Sequence, residues 1–526
     1  MKKVLALVLA AILILGCVPA LAELNLVSGE GVYPLKTDVT LSWYVGDGYV
    51  LNDAYATWQD SPFHTGLIEQ TGVNIDWSFP TVGADRNAAF NTLMSSEQLP
   101  DIICYYFMND ASRYLEEGVI RDLTPYIQQY APAYYAFLQS NPVYDKAMKT
   151  DDGKYYAFGF FREDGGWNDT YLGPVIRQDW LKECGLEAPK TISDWDKVLR
   201  TFNEKYGAKL SFAWTRFNTT GISGAFGAFG ASTLQYYIDE AGKVQLAQAQ
   251  PEWAAYVKQL NKWWADGLID QDIFTLDDTG AKTKALNGEI GIGITSMGQL
   301  SNWVKEAQAA GNGADWIGLQ YPTGDDGKLS MVFGGTGVGT NVGVVTSSCT
   351  DEELETALRV LDYAYTKEGF LYWNYGKQGV SWDYGADGKP AYTELVTKDP
   401  DGLNNAISKF GGTTWSGNCL QSTNLLYMKN TPVSIAANDL WFYPNEAVTS
   451  KWKMPSGFTQ TTDESDDLDL YVTQLTTYVA ESFAKFVTGE ASIDTDFAAF
   501  QAKLDEMGLQ KVLELRQAAY DRYLAR

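Results

Sequence analysis

The side chains best suited to binding are aromatic and polar residues placed close to the ends of predicted strands. Aromatic residues make up 14% of the chain, with 17 Trp and 32 Tyr. Flat apolar rings with polar rims suit stacking against sugar rings. In open α/β sheets, ligands bind beyond the carboxyl ends of the strands. The candidate residues are Trp43, Tyr44, Asp47, Tyr105, Asn109, Arg162, Trp167, Arg177, Trp214, Trp382, Asp383 and Trp415.

Some aromatic and charged residues have a structural alternative. Trp195, Trp263 and Trp316 are expected to lie in the hydrophobic core, because large aromatic side chains dominate core packing. Arg177 can face a ligand or brace a hinge, and the sequence does not choose between these two roles.

Catalytic chemistry has weak support in this chain. His64 is the single histidine, and the five cysteines form no Cys-x-x-Cys pair. These counts argue against Ser-His-Asp or Cys-His catalysis and against a zinc site. A glycosidase or lyase would need two carboxylates about 5–10 Å apart across a cleft. Asp47 and Asp383 form the one pair that we nominate, and no spacing forces them together. We therefore predict no catalytic residue, no metal and no cofactor.

Length and net charge limit the number of domains and the kinds of partner that the chain can have. The chain has 526 residues and a formal charge of −26. This length predicts two domains. The negative charge argues against nucleic acid and against an anionic membrane surface as partners. It also argues against polyanionic ligands, although Arg162, Arg177 and Arg216 could bind one uronate. We expect a monomer.

The N-terminus is typical of an export signal. A basic start precedes an apolar run over residues 4–15, which is too short to span a bilayer. Ordinary signal-peptidase cleavage would remove residues 1–22. A lipobox would instead end the signal at residue 16 and lipidate Cys17. We expect an exported protein that is lipid-anchored to the outer face of the membrane, with secretion as the alternative.

Hydrophobic periodicity predicts alternating strands and helices. Residues 40–45 and 101–104 are predicted as strands, and residues 74–79 alternate at period two as a half-buried strand. Amphipathic helices are predicted over 85–98 and 353–365. Because strands and helices alternate, the sheet should be mostly parallel with helices on both faces. The predicted fold class is therefore α/β.

The most specific motif is IRQDWL at residues 176–181. A strand leads into a helix that Gly185 stops, and Ser193 or Asp194 is expected to cap a further helix. This stretch resembles a signature of the extracellular solute-binding proteins of ABC importers, family 1. Further matches, in the order of that family, are EQTGV at 69–73, LPDII at 99–103, DGLID at 266–270 and YGKQGV at 375–380.

The resemblance implies a two-lobe fold of the periplasmic-binding-protein type (type II), with a hinge and three crossings between the lobes. Lobe one would take residues 35–160 plus 338–425, and lobe two residues 165–335 plus 430–526. A ligand would lie between the lobes, and hinge closure would bury it before delivery to the permease subunits. Family and aromatic content together favour an oligosaccharide. A peptide ligand and a secreted carbohydrate-active enzyme are the alternatives.

Some members of that family carry a calcium loop after the helix that follows this motif. Residues 200–208 occupy the corresponding position here, and they lack oxygen ligands at alternate positions. This departure argues against carrying a calcium site over from the family.

Overall fold

Two main β-sheets, each with its own helices and hydrophobic core, organise the protein. We call the part around the six-stranded sheet lobe one and the part around the four-stranded sheet lobe two. This arrangement confirms the predicted two-lobe α/β fold. The structure is a computed structural model, and it describes residues 25–46, 58–81, 84–96, 98–108, 110–167, 169–219, 221–329, 335, 337–413, 418–445 and 452–526.

Lobe one is built on the six-stranded sheet. Its strands are β1 (Thr40–Val45), β2 (Asn74–Ser78), β3 (Ile102–Tyr106), β4 (Phe158–Arg162), β11 (Val338–Val345) and β14 (Leu420–Gln421). Their spatial order is β14-β4-β11-β3-β1-β2. β1 pairs in parallel with β2 and β3, whereas β11 is antiparallel to β3 and β4. In β2, Ile75 and Trp77 are buried between exposed neighbours, which confirms the predicted alternation.

Lobe two is built on the four-stranded sheet. Its strands are β5 (Leu172–Arg177), β6 (Lys209–Ser211), β9 (Ile290–Ser296) and β10 (Trp316–Gly318), in the order β10-β5-β9-β6. Every residue of β5 is buried, and so is every residue of β9 before Ser296. Such continuous burial is typical of strands covered on both faces. Two hairpins lie outside the main sheets, β7 (Tyr236–Ile238) with β8 (Val244–Leu246) and β12 (Trp382–Tyr384) with β13 (Pro390–Tyr392).

Helices come mainly from the same chain segments as the strands they accompany. Segments of lobe one supply α1 (Pro62–Thr71), α2 (Arg86–Met94), α3 (Ala111–Glu116), α4 (Ile127–Tyr130), α5 (Pro132–Ser140), α6 (Pro142–Ala147), α12 (Asp351–Tyr363), α13 (Lys367–Tyr375), α14 (Glu394–Thr397), α15 (Leu403–Phe410) and α16 (Thr423–Lys429). Segments of lobe two supply α7 (Gln178–Cys184), α8 (Ile192–Tyr206), α9 (Pro251–Ala265), α10 (Asp278–Leu286), α11 (Met297–Ala310), α17 (Pro432–Phe442), α18 (Thr462–Thr488), α19 (Ile493–Glu506) and α20 (Leu509–Ala525). Among the described helices, none is long and apolar enough to cross a bilayer.

Capping residues fix where the helices around the IRQDWL motif begin and end. Gly185 follows α7 with a φ of 64°, a left-handed conformation that glycine adopts without strain, so the predicted stop is confirmed. The prediction that Ser193 or Asp194 caps α8 is wrong. Thr191 is the N-cap, and its side chain accepts the Asp194 N–H while the Asp194 carboxylate accepts the Thr191 N–H. This capping box places Asp194 inside the first turn.

The chain passes between the two sheets three times. The first passage joins β4 to β5, the second joins β10 to β11, and the third leads from β14 through α16 to α17. α17 packs against β5 and β10 of lobe two. The predicted core tryptophans lie deep in lobe two, since Trp195, Trp263 and Trp316 are each at most 1% exposed.

A group of ion pairs joins α20 to lobe one. Arg526 Nη2 and Arg522 Nε each lie 2.6 Å from a carboxylate oxygen of Asp151, in the turn before β4. Arg522 also donates to Glu464 Oε1 at 2.7 Å, in the first turn of α18. Arg526 donates further hydrogen bonds to three backbone carbonyls. We call Asp151, Glu464, Arg522 and Arg526 the C-terminal ion cluster.

Candidate ligand-binding site

A cavity of about 470 Å³ lies between the two sheets, where the carboxyl ends of several strands meet. Tyr106 ends β3, Arg162 ends β4 and Ser296 ends β9, and all three line the cavity. This is the position at which open α/β sheets bind ligands. Other lining residues that bear on its chemistry are Phe160, Asp169, Asn341, Gln421, Lys429 and Lys453.

Arg162 is the predicted site residue that lines this cavity, among those that the structure describes. Its Nη1 donates to Gln421 Oε1 at 2.9 Å, and its Nε forms an ion pair with Asp169. The guanidinium carbon lies 5.4 Å from the centroid of the Phe160 ring. Asp169 Oδ2 also accepts the Gly337 N–H at 2.8 Å, so this carboxylate ties the first passage between the sheets to the second. The charge of Arg162 is therefore neutralised inside the protein.

Lys429 brings a second cation to the cavity, at the last residue of α16. Among the described residues, its ammonium has neither a hydrogen-bond acceptor nor an ion-pair partner. Burial lowers the pKa of Lys429 to about 8. The carbonyls at a helix C-terminus favour a cation by about 0.3–1 kcal/mol. That is less than the several kcal/mol that removing an ammonium from water costs.

Lys453 brings a third cation from the segment before α18. Burial lowers its pKa, the charge of Asp169 partly opposes that shift, and Arg162 adds to it. These couplings place Lys453 within electrostatic range of the ion pair between Arg162 and Asp169.

Tyr105 and Tyr106 are adjacent at the end of β3, and their ring centroids lie 4.6 Å apart. Tyr105 was predicted as a site residue, but its ring is 3% exposed and its hydroxyl donates to Asn87 Oδ1 at 2.6 Å. Tyr106 is 45% exposed and lines the cavity. The two rings therefore contact each other, and the ring at the end of the strand is the one that reaches the cavity.

Trp43 and Tyr44, at the end of β1, are both buried. The Trp43 ring stacks on Trp77 with centroids 4.9 Å apart, and its indole N–H donates to Cys104 Sγ at 3.2 Å. Burial raises the pKa of Tyr44 to about 12. Neither side chain lines the cavity, so the structure gives both a place in the packing of lobe one.

Trp167, in the first passage between the sheets, and Arg177, at the end of β5, do not line the cavity. The Trp167 ring packs against Tyr427 with centroids 5.5 Å apart, and its indole N–H donates to Asp439 Oδ1 at 2.8 Å. Arg177 forms a two-point ion pair with Asp179 and lies 4.0 Å from the Trp180 ring centroid. These contacts lie within lobe two, so they decide neither for facing a ligand nor for bracing a hinge.

Three further predicted residues lie away from the cavity lining. Trp214 packs against Phe217 and Phe274 within lobe two. Trp382 is buried, and its indole N–H donates to the Gly376 carbonyl at 2.9 Å. Asp383 is exposed, and hydrogen bonds from Gln378 and from the Tyr384 N–H lower its pKa.

Four predicted residues lie outside the residues that the structure describes: Cys17, Asp47, Asn109 and Trp415. The carboxylate pair of Asp47 with Asp383, nominated for a hydrolytic enzyme, includes one of them.

Sequence reasoning missed Asn341, Gln421, Lys429 and Lys453. Strand-end position was a sufficient signal for Gln421, which ends β14. That signal could not find Lys429, which ends α16, or Lys453, which precedes α18, because the placement of these helices depends on the third passage between the sheets.

Comparison with known proteins gives the family. Residues 54–369 match the model of the bacterial extracellular solute-binding proteins. The chain is 25% identical over 491 residues to the fructooligosaccharide ABC transporter substrate-binding protein FusA of Streptococcus pneumoniae, covering 87% of this chain and 86% of that one. It is 25% identical over 340 residues to the polygalacturonan/rhamnogalacturonan-binding protein YtcQ of Bacillus subtilis, covering 63% and 65% of the two chains.

Solved structures support the same fold. The alginate-binding protein AlgQ2, in a crystal structure without calcium ion, superposes with a TM-score of 0.76 at 23% identity, covering 94% of this chain and 100% of that one. FusA in complex with kestose superposes with a TM-score of 0.72 at 23% identity, covering 93% and 100% of the two chains. The family match extends over more than half of the sequence, and we conclude that this chain belongs to the bacterial extracellular solute-binding protein family.

Proposed function

We propose that the protein is the substrate-binding component of an ABC importer and that it captures an oligosaccharide between its lobes. The observation that carries this proposal is the cavity of about 470 Å³ at the strand ends between the two sheets. Tyr106 offers an accessible ring for stacking, and Asn341 and Gln421 place amide groups in the same lining. Such a mixture of one aromatic face and convergent polar groups suits a sugar ring.

The relatives support an oligosaccharide over a peptide. FusA is named for fructooligosaccharides, YtcQ for polygalacturonan and rhamnogalacturonan, and AlgQ2 for alginate. The ligands in these names are all carbohydrate chains, and they differ in charge. The class of ligand therefore follows from the family, whereas the individual sugar does not.

Capture requires the lobes to close on the ligand. Residues 35–160 plus 338–425 form one closing body in this proposal, and residues 165–335 plus 430–526 form the other. A ligand that contacts both bodies at once shifts the population toward the closed form. The permease subunits then receive the closed complex, and the ligand leaves chemically unchanged.

The protein works outside the cytoplasm in this proposal, held to the membrane through a lipid on Cys17. Fractionation of cells that express the full chain tests the anchor. Cys17→Ser should move the protein from the membrane fraction to the medium. A wild-type protein that is already in the medium would instead indicate cleavage after residue 22.

Ligand binding is tested by calorimetry with fructooligosaccharides, oligogalacturonates and alginate oligosaccharides. Tyr106→Ala should weaken the binding of whichever ligand is captured by about 3–10-fold, because a stacked ring contributes about 0.5–1.5 kcal/mol. Tyr384→Ala is the matched control. Its ring is 52% exposed on β12, outside the cavity lining, and its removal should leave affinity unchanged.

The same samples separate a binding protein from an enzyme. Mass spectrometry of the recovered ligand should show the intact oligosaccharide after prolonged incubation. Shorter products would support the rival interpretation, a secreted carbohydrate-active enzyme. A panel in which no oligosaccharide binds would overturn the proposed function.

A further inference from the structure

The described lining of the cavity carries more positive than negative charge. Its cations are Arg162, Lys429 and Lys453, and its carboxylate is Asp169. Arg162 pairs with Asp169, and among the described residues Lys429 has no carboxylate partner. The whole chain has a formal charge of −26, so composition alone would not place excess positive charge here.

Carboxylates close to α16 in sequence or space already have donors. Glu163 Oε2 accepts the Thr423 N–H at 2.8 Å, and Asp164 Oδ2 accepts the Thr423 hydroxyl at 2.7 Å. Thr423 is the first residue of α16, whereas Lys429 is the last, about 9 Å farther along at 1.5 Å per residue. These two carboxylates therefore stabilise the opposite end of the helix.

Asp439, on the neighbouring α17, is also engaged. It accepts the indole N–H of Trp167 at 2.8 Å. Burial lowers the pKa of Lys429, and no carboxylate among the described residues compensates its charge. At pH 7 the amine remains mostly protonated, and the cavity keeps a positive charge without a counterion from the described residues.

We infer that the missing partner of Lys429 is an oxyanion of the ligand, so that the cavity selects acidic oligosaccharides over neutral ones of the same shape. This inference rests on the proposed function and narrows it. Lys429 is partly buried in the cavity wall, and a charge drawn out of water without a protein partner is costly. Such groups are enriched at functional sites. A carboxylate of a uronate or a sulfate ester has the required charge and acceptor atoms.

Matched neutral and acidic ligands test the inference. Trigalacturonate, its fully methyl-esterified form and a sulfated neutral trisaccharide are titrated into wild-type protein by calorimetry. Wild type should prefer at least one of the two anionic ligands to the ester. Lys429→Met should weaken the binding of that anionic ligand by about 10–100-fold, the range of one charge-assisted hydrogen bond. It should change the affinity for the ester by less than about twofold.

Two further variants control for charge and for folding. Lys429→Arg keeps the cation and should keep the preference for the anion. Lys328→Met removes a lysine whose side chain is 81% exposed, and it should change neither affinity. Thermal unfolding of every variant confirms that each is folded at the temperature of the titration.

The outcomes separate this inference from the proposed function. Stronger binding of the sulfated ligand than of trigalacturonate, lost in Lys429→Met, identifies sulfate as the oxyanion and supports the inference. Equal binding of acid and ester by wild type, unchanged in Lys429→Met, overturns the inference and leaves the proposed function intact. Binding of none of these ligands nor of the fructooligosaccharides overturns both.

Discussion

The C-terminal ion cluster and the cavity both bring cations to the boundary between the lobes, but they differ in whether those cations are paired with carboxylates. In the cluster, Arg526 and Arg522 share Asp151, and Arg522 also binds Glu464. In the cavity, Lys429 has no partner among the described residues. The cations of the cluster are therefore paired within the protein, whereas the described part of the chain supplies no anion for Lys429.

This difference distinguishes charged residues that hold the fold together from charged residues that are available to a ligand. A charge that is fully paired within the chain can hold two elements together, but it offers little to a ligand. A partly buried charge without a partner weakens the fold, and it is free to pair with an anionic group of a ligand. The same argument explains why Arg162, Arg177 and Arg216 are poor sites for a uronate, since each pairs with an aspartate.

Arg526→Ala should have the largest effect on stability. The side chain of Arg526 is 6% exposed, and its loss removes an ion pair with Asp151 together with three hydrogen bonds to carbonyls. Removing one partner of a buried pair costs about 3–5 kcal/mol. Urea denaturation should show this loss in the free energy of unfolding. A loss below about 1 kcal/mol, the level of a surface pair, would contradict a stabilising role for the C-terminal ion cluster.

Lys429→Met should change the free energy of unfolding in the opposite direction and by a smaller amount. The folded pKa of about 8 lies below the ordinary lysine pKa of 10.5, so the unfolded chain binds this proton more tightly. Wild type should therefore gain stability as the pH rises from about 8 to about 10.5, by roughly 2–3 kcal/mol at 1.4 kcal/mol per pH unit.

The variant lacks this gain, so it should be more stable than wild type at pH 7 and equal to it near pH 10.5. Unfolding free energies of both proteins at the two pH values measure the difference. Parallel pH profiles would show that the Lys429 ammonium is compensated in the folded protein.

Lys258→Ala should have the smallest effect. Lys258 pairs with Asp494 at 2.6 Å, but the two side chains are 61% and 63% exposed. Exposed ion pairs contribute about 0–1 kcal/mol, because water and salt screen them. The variant provides the surface reference for Arg526→Ala in the same urea titrations. An equal loss in both variants would show that burial does not distinguish the C-terminal ion cluster.

Local sequence patterns predicted much of the fold. The glycine after α7 and the alternation in β2 each follow from a few neighbouring residues, and both are confirmed. The cap of α8 was missed by two or three positions, because Thr191 and Asp194 form a reciprocal pair in which either residue resembles a cap. Family resemblance supplied the pairing of distant segments into two lobes.

The site was harder to predict, because it depends on how far each side chain is covered by its neighbours. Tyr105 and Tyr106 are adjacent, chemically alike and in ring contact, yet Tyr105 is buried and Tyr106 is exposed. Arg162 was predicted because the family resemblance puts the first crossing between the lobes in its stretch of the chain, and in the structure it ends β4. Lys429 resembles an ordinary basic residue at a helix end, and its isolation appears after Glu163 and Asp164 are seen to bind the other end of that helix.

The cationic cavity inside an acidic protein also has a kinetic consequence. Beyond the Debye length, about 8 Å at physiological ionic strength, the approaching anion meets the field of a molecule with a formal charge of −26. That field slows encounter, while Lys429 slows escape once the anion is inside. Added salt weakens both effects, so the association and dissociation rate constants of an acidic ligand should both rise with ionic strength. Such a protein exchanges its cargo faster in brine than in fresh water.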